Sequence, residues 1–357
     1  MHTETIGIVG SGNSARALAA HFSSQGYPVC ICTRNPDGIG SIRDKRSIHA
    51  TGVIEGTFPV DEVTDDAQHL AERCSTIFVA SVTTAYRDIA ATLAPHLRSH
   101  HFLILFSGKL CGSLEVAQVL RAHGADDVPV IETDSLFDCR AREDSGIWIR
   151  GFKSWTLLSC PQRSQTRRHA ARLQHYFPGL EEATNIIQRG LTDFGALAHA
   201  VISIANLNKI DRQEAVLFYY EGLSEKTIVL LEQMEREFQT LAEAYEARLI
   251  PMKDLLNRYY GCNTDSLLSA MRTVPNYRHS YAPPVLDHRF LKEDVAQSLV
   301  PLQALARKAG LDTPMIDAVI SMTSVLSRDN MRATGRTLEK LGWNHLSHRE
   351  IVDWMHQ

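Results

Sequence analysis

The densest group of chemically capable side chains is Leu286-Asp287-His288-Arg289-Phe290-Leu291-Lys292-Glu293-Asp294-Val295, which follows the turn-like Ala282-Pro283-Pro284. Within about three helical turns it offers a guanidinium, acids and an imidazole. The planar fork of an arginine matches both oxygens of a carboxylate, so Arg289 is a candidate clamp for an acidic substrate. Asp294, a few residues on, can orient and charge-balance an imidazole brought in from elsewhere in the chain. Taken alone, such a stretch is more often a solvated helix start with ordinary i,i+4 charges. Candidate imidazoles in the second half are His199, His279 and His288. His199 lies in Gly195-Ala196-Leu197-Ala198-His199-Ala200-Val201-Ile202, which is otherwise small and apolar. A polar ring there must find a buried partner or face a cleft. A histidine relays protons near neutrality, although residue types alone leave a satisfied core histidine the commoner outcome. Tyr219, Tyr220, Tyr259, Tyr260, Tyr277 and Tyr281 crowd the same half. Most aromatics at helical spacing are core, and only Tyr277 is singled out as lining a pocket. Glu293 reads as a solvated neighbour.

At the other end, Thr5 to Val9 is a short β-branched run ending at Gly10-Ser11-Gly12-Asn13-Ser14-Ala15, and Arg16 to Gln25 reads as a helix. Strand, glycine turn and helix in that order are what a dinucleotide site requires. Gly10 permits the tight turn and Gly12 lets backbone approach a pyrophosphate at the helix N-terminus. Ala15 allows close helix packing, and Asn13 and Ser14 complete the cradle. The next strand, Pro28 to Thr33, ends in Arg34 rather than an acid. An acid there would bind the ribose hydroxyl of NAD, whereas an arginine suits the extra phosphate, so NADP(H) is favoured over NAD(H).

These residues need elements to hold them. Thr76–Ser81, Phe102–Phe106 and Val128–Thr133 are apolar runs of the kind buried in a parallel sheet, and Ile147–Ile149 and Trp155–Leu158 look like the last strands of this half. After about residue 180 strand signals nearly vanish. Helices are expected over 185–207, 217–247, 252–260, 294–308 and 315–327. The fold class is therefore an α/β N-terminal Rossmann-type doubly wound sheet plus an all-α C-terminal domain. The boundaries are 1–180 and 181–357, with Pro178-Gly179 at the join.

At 357 residues the chain can bury two real cores. Its net charge of −4 gives no basic field for nucleic acid or an anionic membrane. No run approaches the ~20 apolar residues of a membrane span, and the N-terminus has no signal-like pattern. A cytoplasmic protein is expected. The seven cysteines form no C-x-x-C pair and read as reduced, buried thiols. The sixteen histidines form no H-E-x-x-H, and adjacent His100-His101 should point apart, so no metal site is expected.

The sequence resembles the opine dehydrogenase family, which includes octopine, nopaline and N-(1-carboxyethyl)-norvaline dehydrogenases. The resemblance spans essentially the whole chain. Its residues are Gly10-Ser11-Gly12-Asn13, Phe218-Tyr219-Tyr220-Glu221-Gly222, Asn276-Tyr277-Arg278, and Arg289 to Val295 with Leu299-Val300-Pro301-Leu302. Thr313-Pro314-Met315-Ile316-Asp317 and Gly335 to Gly342 continue it. The resemblance implies an NADP-dependent enzyme that condenses the amine of an amino acid with a 2-oxo acid and reduces the imine, and a homodimer is expected. It further implies His199 as proton relay, Asp294 as its partner and Arg289 as holder of a substrate carboxylate. Two departures stand out: many relatives carry an Asn four residues before the histidine and a Pro after it, where this chain has Gly195 and Ala200. Other readings are a 2-oxo-acid, ketone or imine reductase without condensation, and a non-catalytic NADPH-binding protein. Ketone reductases on this scaffold use a lysine acid, and neither Lys209 nor Lys226 lies in a matching block.

Overall fold

The computed structural model describes residues 4–143, 145–286 and 288–357; Asp287, part of the charged stretch above, lies outside them. The chain divides into two compact units. The first comprises residues 1–108, 112–153 and 165–178, and the second residues 109–111, 154–164 and 179–357.

Among the described residues, the first unit contains ten strands. These are β1 (Ile6–Val9), β2 (Val29–Cys32), β3 (Ser47–Gly52), β4 (Gly56–Pro59), β5 (Glu62–Thr64), β6 (Thr76–Val79), β7 (Phe102–Phe106), β8 (Val130–Thr133), β9 (Phe137–Ala141) and β10 (Gly146–Phe152). Six of them run in the order β8-β7-β6-β1-β2-β5, all parallel. The continuous apolar character of β1, β2, β6, β7 and β8 follows from burial on both faces. The helices are α1 (Asn13–Ser24), α2 (Gly40–Lys45), α3 (Ala67–Arg73), α4 (Tyr86–Leu93), α5 (Gly112–Ala122) and α6 (Arg163–Gln174). A second sheet, β4-β3-β10-β9, was not foreseen. Its strands alternate in burial or are short, so they carry little apolar signal. Ile147–Ile149 therefore belongs to this mixed sheet, not to the parallel one.

The second unit holds a parallel pair, β11 (Thr156–Ser159) with β12 (Leu180–Glu182). Its remaining elements are helical: α7 (Ile186–Leu191), α8 (Phe194–Ala205), α9 (Leu207–Asp211), α10 (Glu225–Ala244), α11 (Met252–Tyr260), α12 (Leu267–Thr273), α13 (Arg289–Asp294), α14 (Val300–Lys308), α15 (Pro314–Ser327), α16 (Met331–Thr334) and α17 (His348–His356). The helix expected over 185–207 is broken at Thr192-Asp193, where Asp193 caps α8. The one expected from 217 begins only at Glu225, capped by Ser224. Leu217 instead bridges to Tyr281 as isolated β structure. Between α13 and α14 the helix widens into a π turn over Val295–Leu299.

None of the seven cysteines is joined in a disulfide, and five of them are buried. The His100 and His101 rings lie 4.0 Å apart rather than diverging, because the pair sits in a turn and not a strand. His101 is buried there and its Nδ1 accepts from the Arg98 amide. No helix among the described residues is long and apolar enough to cross a membrane.

Candidate active site

In the first unit the glycine turn joins β1 to α1. Gly10 has φ +127°, and a Cβ there would meet the Ala80 carbonyl oxygen at 2.4 Å, so no side chain fits. Gly12 is the N-cap of α1 and supplies no side-chain cap to its first amides, and a Cβ on it would meet nothing within 4 Å. Open space above uncapped N–H groups is the property a pyrophosphate needs. Ala15 is fully buried. Asn13 accepts from the Ala141 amide at 2.9 Å, and Arg16 donates to the Ser11 carbonyl at 3.3 Å, which fixes the turn from both sides. Ser11 also accepts from Thr33 at 3.2 Å. Arg34 follows at the end of β2 and is exposed.

In the second unit the geometry centres on His199 of α8. Its Nδ1 lies 2.7 Å from Asp294 Oδ2, and its Nε2 lies 2.8 Å from the Tyr219 hydroxyl. Asp294 ends α13, and its other oxygen is 2.5 Å from Lys109 Nζ. That ammonium also pairs with Asp193 at 2.8 Å. Asp193 Oδ1 meanwhile accepts from the Gly195 amide at 2.9 Å, capping the helix that carries the histidine. Burial works against ionising Asp294, but Lys109 and His199 outweigh it and hold the carboxyl well below the ordinary carboxylate range. An ionised carboxylate can only accept, so Nδ1 carries the proton. In the neutral ring Nε2 then accepts from Tyr219.

The aromatic surroundings are close. Phe290 stacks on the His199 ring at 4.1 Å, and Tyr277 stacks on Tyr219 at 3.9 Å. Arg289 opens α13, is exposed, and lies 5.5 Å from the Phe290 ring centroid. It pairs with Glu293 at 3.8 Å; Glu293 is buried rather than solvated. His288 caps α13 through Nδ1, and burial, with Arg289 and His199 nearby, pushes its imidazole down. His279 is exposed.

The structure thus gathers His199, Asp294 and Tyr277 into one cluster, with Arg289 one ring away. Three members escaped the sequence: Lys109, Asp193 and Tyr219. Asp193 had a readable signal, an N-cap residue directly before an apolar helix. Lys109 could be placed in the Ser107-Gly108-Lys109 loop after a strand, where loops line a cofactor crevice, but not beside its partners, which lie 84 and 185 positions later.

Residues 182–327 match the alpha-helical domain of NAD/NADP octopine/nopaline dehydrogenases, and residues 5–106 match the coenzyme F420-dependent NADP oxidoreductase model. The opine dehydrogenase of Arthrobacter sp. (strain 1C) is 28% identical over 97% of each chain. A solved octopine dehydrogenase with NADH and L-arginine superposes with a TM-score of 0.79 at 17% identity over 98% of each chain. Yersinopine dehydrogenase bound to NADP+ gives 0.69 at 15% identity, covering 98% of this chain and 95% of that one. With a glycine turn after β1, a helical second unit matched by the octopine/nopaline dehydrogenase domain and near full-length similarity to opine dehydrogenases, the chain is an NAD(P)-dependent oxidoreductase acting on CH–NH groups.

Proposed function

We propose that the protein is an NADP-dependent opine dehydrogenase that reductively condenses the amine of an amino acid with a 2-oxo acid. The observation that carries this reading is the hydrogen-bonded pair of His199 and Asp294 within a helical unit matched by the octopine/nopaline dehydrogenase model. His199 takes a proton from the attacking ammonium, so that the amine nitrogen bonds to the carbonyl carbon. The alkoxide so formed takes a second proton from the nitrogen to become a hydroxyl, and His199 returns the first proton to that hydroxyl, which leaves as water as the nitrogen lone pair forms the C=N bond. Asp294 holds the ring and balances its charge. Arg289 grips a substrate carboxylate, for which its exposed fork is available, and Tyr277 packs against the amino-acid side chain. A bound nicotinamide supplies the hydride that reduces the C=N carbon. Gly10, Gly12, Asn13, Ser14 and Ala15 would hold its pyrophosphate. Relatives have been solved with NADH and with NADP+, and Arg34 favours the phosphorylated cofactor. Seven cysteines outside any disulfide support the reducing cytoplasm as its compartment.

The ketone-reductase reading has less support, since Lys209 and Lys226 are both exposed and Lys109 is held by two carboxylates. The test follows NADPH absorbance over a panel of amino acid and 2-oxo acid pairs. Oxidation should need both partners, and oxidation with the oxo acid alone would overturn the condensation. His199→Ala should lower turnover roughly a hundredfold with cofactor binding intact. Arg34→Asp should shift preference toward NADH, and an unchanged preference would refute the cofactor assignment.

A further inference from the structure

Lys109 has no part in the chemistry above, yet its side chain is 9% exposed and its ammonium bridges two carboxylates that are each 4% exposed. Its backbone is held as well. Its φ is +56°, and its carbonyl accepts from the guanidinium of Arg189, a residue 1% exposed. The next carbonyl, of Leu110, accepts from Arg336 at 2.7 Å. A lysine normally loses about 2 kcal/mol of rotamer freedom when fixed, and burying its charge costs several more. Such a residue is expected only where its charge is used.

The use follows from counting. Asp193 and Asp294 bring two negative charges to one end of α8, and Lys109 cancels one. The remaining negative charge is what a protonated His199 neutralises. Without the ammonium, the imidazole would face two uncompensated buried carboxylates, which favour its charged form. The orientation follows too, since Lys109 holds Asp294 Oδ1 while Oδ2 meets the ring. We propose that Lys109 is a positioning residue for His199: it fixes Asp294 as the acceptor of the Nδ1 proton and cancels one of the two carboxylate charges that the ring would otherwise meet. This rests on His199 being the proton relay.

Among the described residues, α13 adds Arg289, Lys292 and Glu293 and its cap His288, and Arg289 pairs with Glu293. The Tyr219 phenol contacts Nε2. Glu221 accepts from the Leu217 amide. On α10, Glu237 accepts from the Met315 and Ile316 amides, and Asp317 of α15 pairs with Arg307 and Arg332. Lys209 and Asp211 of α9 are exposed.

The test is a titration of imidazole nitrogens in protein labelled with 15N-histidine, the His199 signal being the one lost in His199→Gln. Lys109→Met should raise the His199 midpoint by about one pH unit or more. Asp193→Asn should lower it, because asparagine still caps the helix while one negative charge is gone. The double variant, with the parent's net charge, should return toward the parent midpoint. An unmoved midpoint in both single variants, or movement in the same direction in both, overturns the proposal. Should Lys109→Met not fold, the downward shift in Asp193→Asn decides alone. The acid limb of kcat/KM in the oxidative direction should move with the midpoint. Absent turnover counts against the proposed reaction, while the titration remains readable.

Discussion

The His199 ring occupies space that exists because residue 195 has no side chain. A Cβ at Gly195 would lie 2.9 Å from His199 Cε1 and 3.1 Å from Asp193 Oδ1. A flexible side chain could yield to such a contact. This ring is held at both nitrogens and stacked on Phe290, so yielding means giving up one of those contacts. The glycine at position 195 is therefore tied to where this histidine lies. α8 also runs unbroken through Ala200, which keeps the helical N–H that a proline would remove. For Gly195→Ala two effects compete. Replacing glycine within a helix stabilises by roughly 0.5–1 kcal/mol, whereas displacing the ring proposed as proton relay can cost on the order of a hundredfold in rate. The expected outcome is a thermal midpoint close to the parent's with turnover lowered tenfold to a hundredfold. Parent-like turnover would remove the steric account. This residue-level fit was only half legible. The polar ring in an apolar helix announced that it needed a partner, but not which; naming Tyr219 or Lys109 requires knowing how distant segments cross.

The helical run from Arg289 to Lys308 shows what an element can and cannot declare. Its apolar period was readable, yet Pro301 sits inside it, and an internal proline leaves the carbonyl four residues back without its helical partner. That carbonyl belongs to Gln297, within the π turn, and it accepts from the Leu110 amide at 3.3 Å and from Arg336 at 3.1 Å. The Arg336 amide takes the Ala296 carbonyl at 2.8 Å. The irregularity is thus satisfied by a buried guanidinium that also holds Leu110, next to Lys109. Arg336→Leu should lower stability by about 3 kcal/mol or more, because buried carbonyls lose their donors. It should also lower kcat through the loosened Lys109 segment. Urea midpoints and steady-state rates check this, and a midpoint equal to the parent's would show that the carbonyls find other donors. The glycine turn and the parallel strands were legible for the opposite reason: backbone geometry at Gly10 and two-sided burial impose residue types locally. The mixed sheet was not, since edge and half-exposed strands such as Gly56–Pro59 impose little.

Across the whole molecule, buried ionisable groups link stability to pH with differing signs. Asp294, held below its ordinary value, contributes stability that is present above the unfolded value near 3.8 and is lost as pH falls through its lowered folded value. His21 acts in a different window. It lies in the last turn of α1, stacked on Phe177 at 5.1 Å and on Phe152 at 6.1 Å, with Phe137 edge-on at 5.4 Å. Burial in that cluster lowers its imidazole from 6.5 to about 4. The unfolded chain then binds the extra proton first, so the contribution is intact above 6.5 and is lost as pH falls toward 4. Its size is at most about 3 kcal/mol. His169 and His288, also lowered by burial, add the same sign. The half-buried acids Asp138 and Glu235, raised by desolvation, oppose it. Because these others are untouched by a change at residue 21, His21→Leu isolates one ring. Its urea midpoint should fall less between pH 7 and pH 5 than the parent's, whatever the absolute stability of either. An equal fall in the two proteins would mean that this imidazole enters the native aromatic cluster already able to carry its proton.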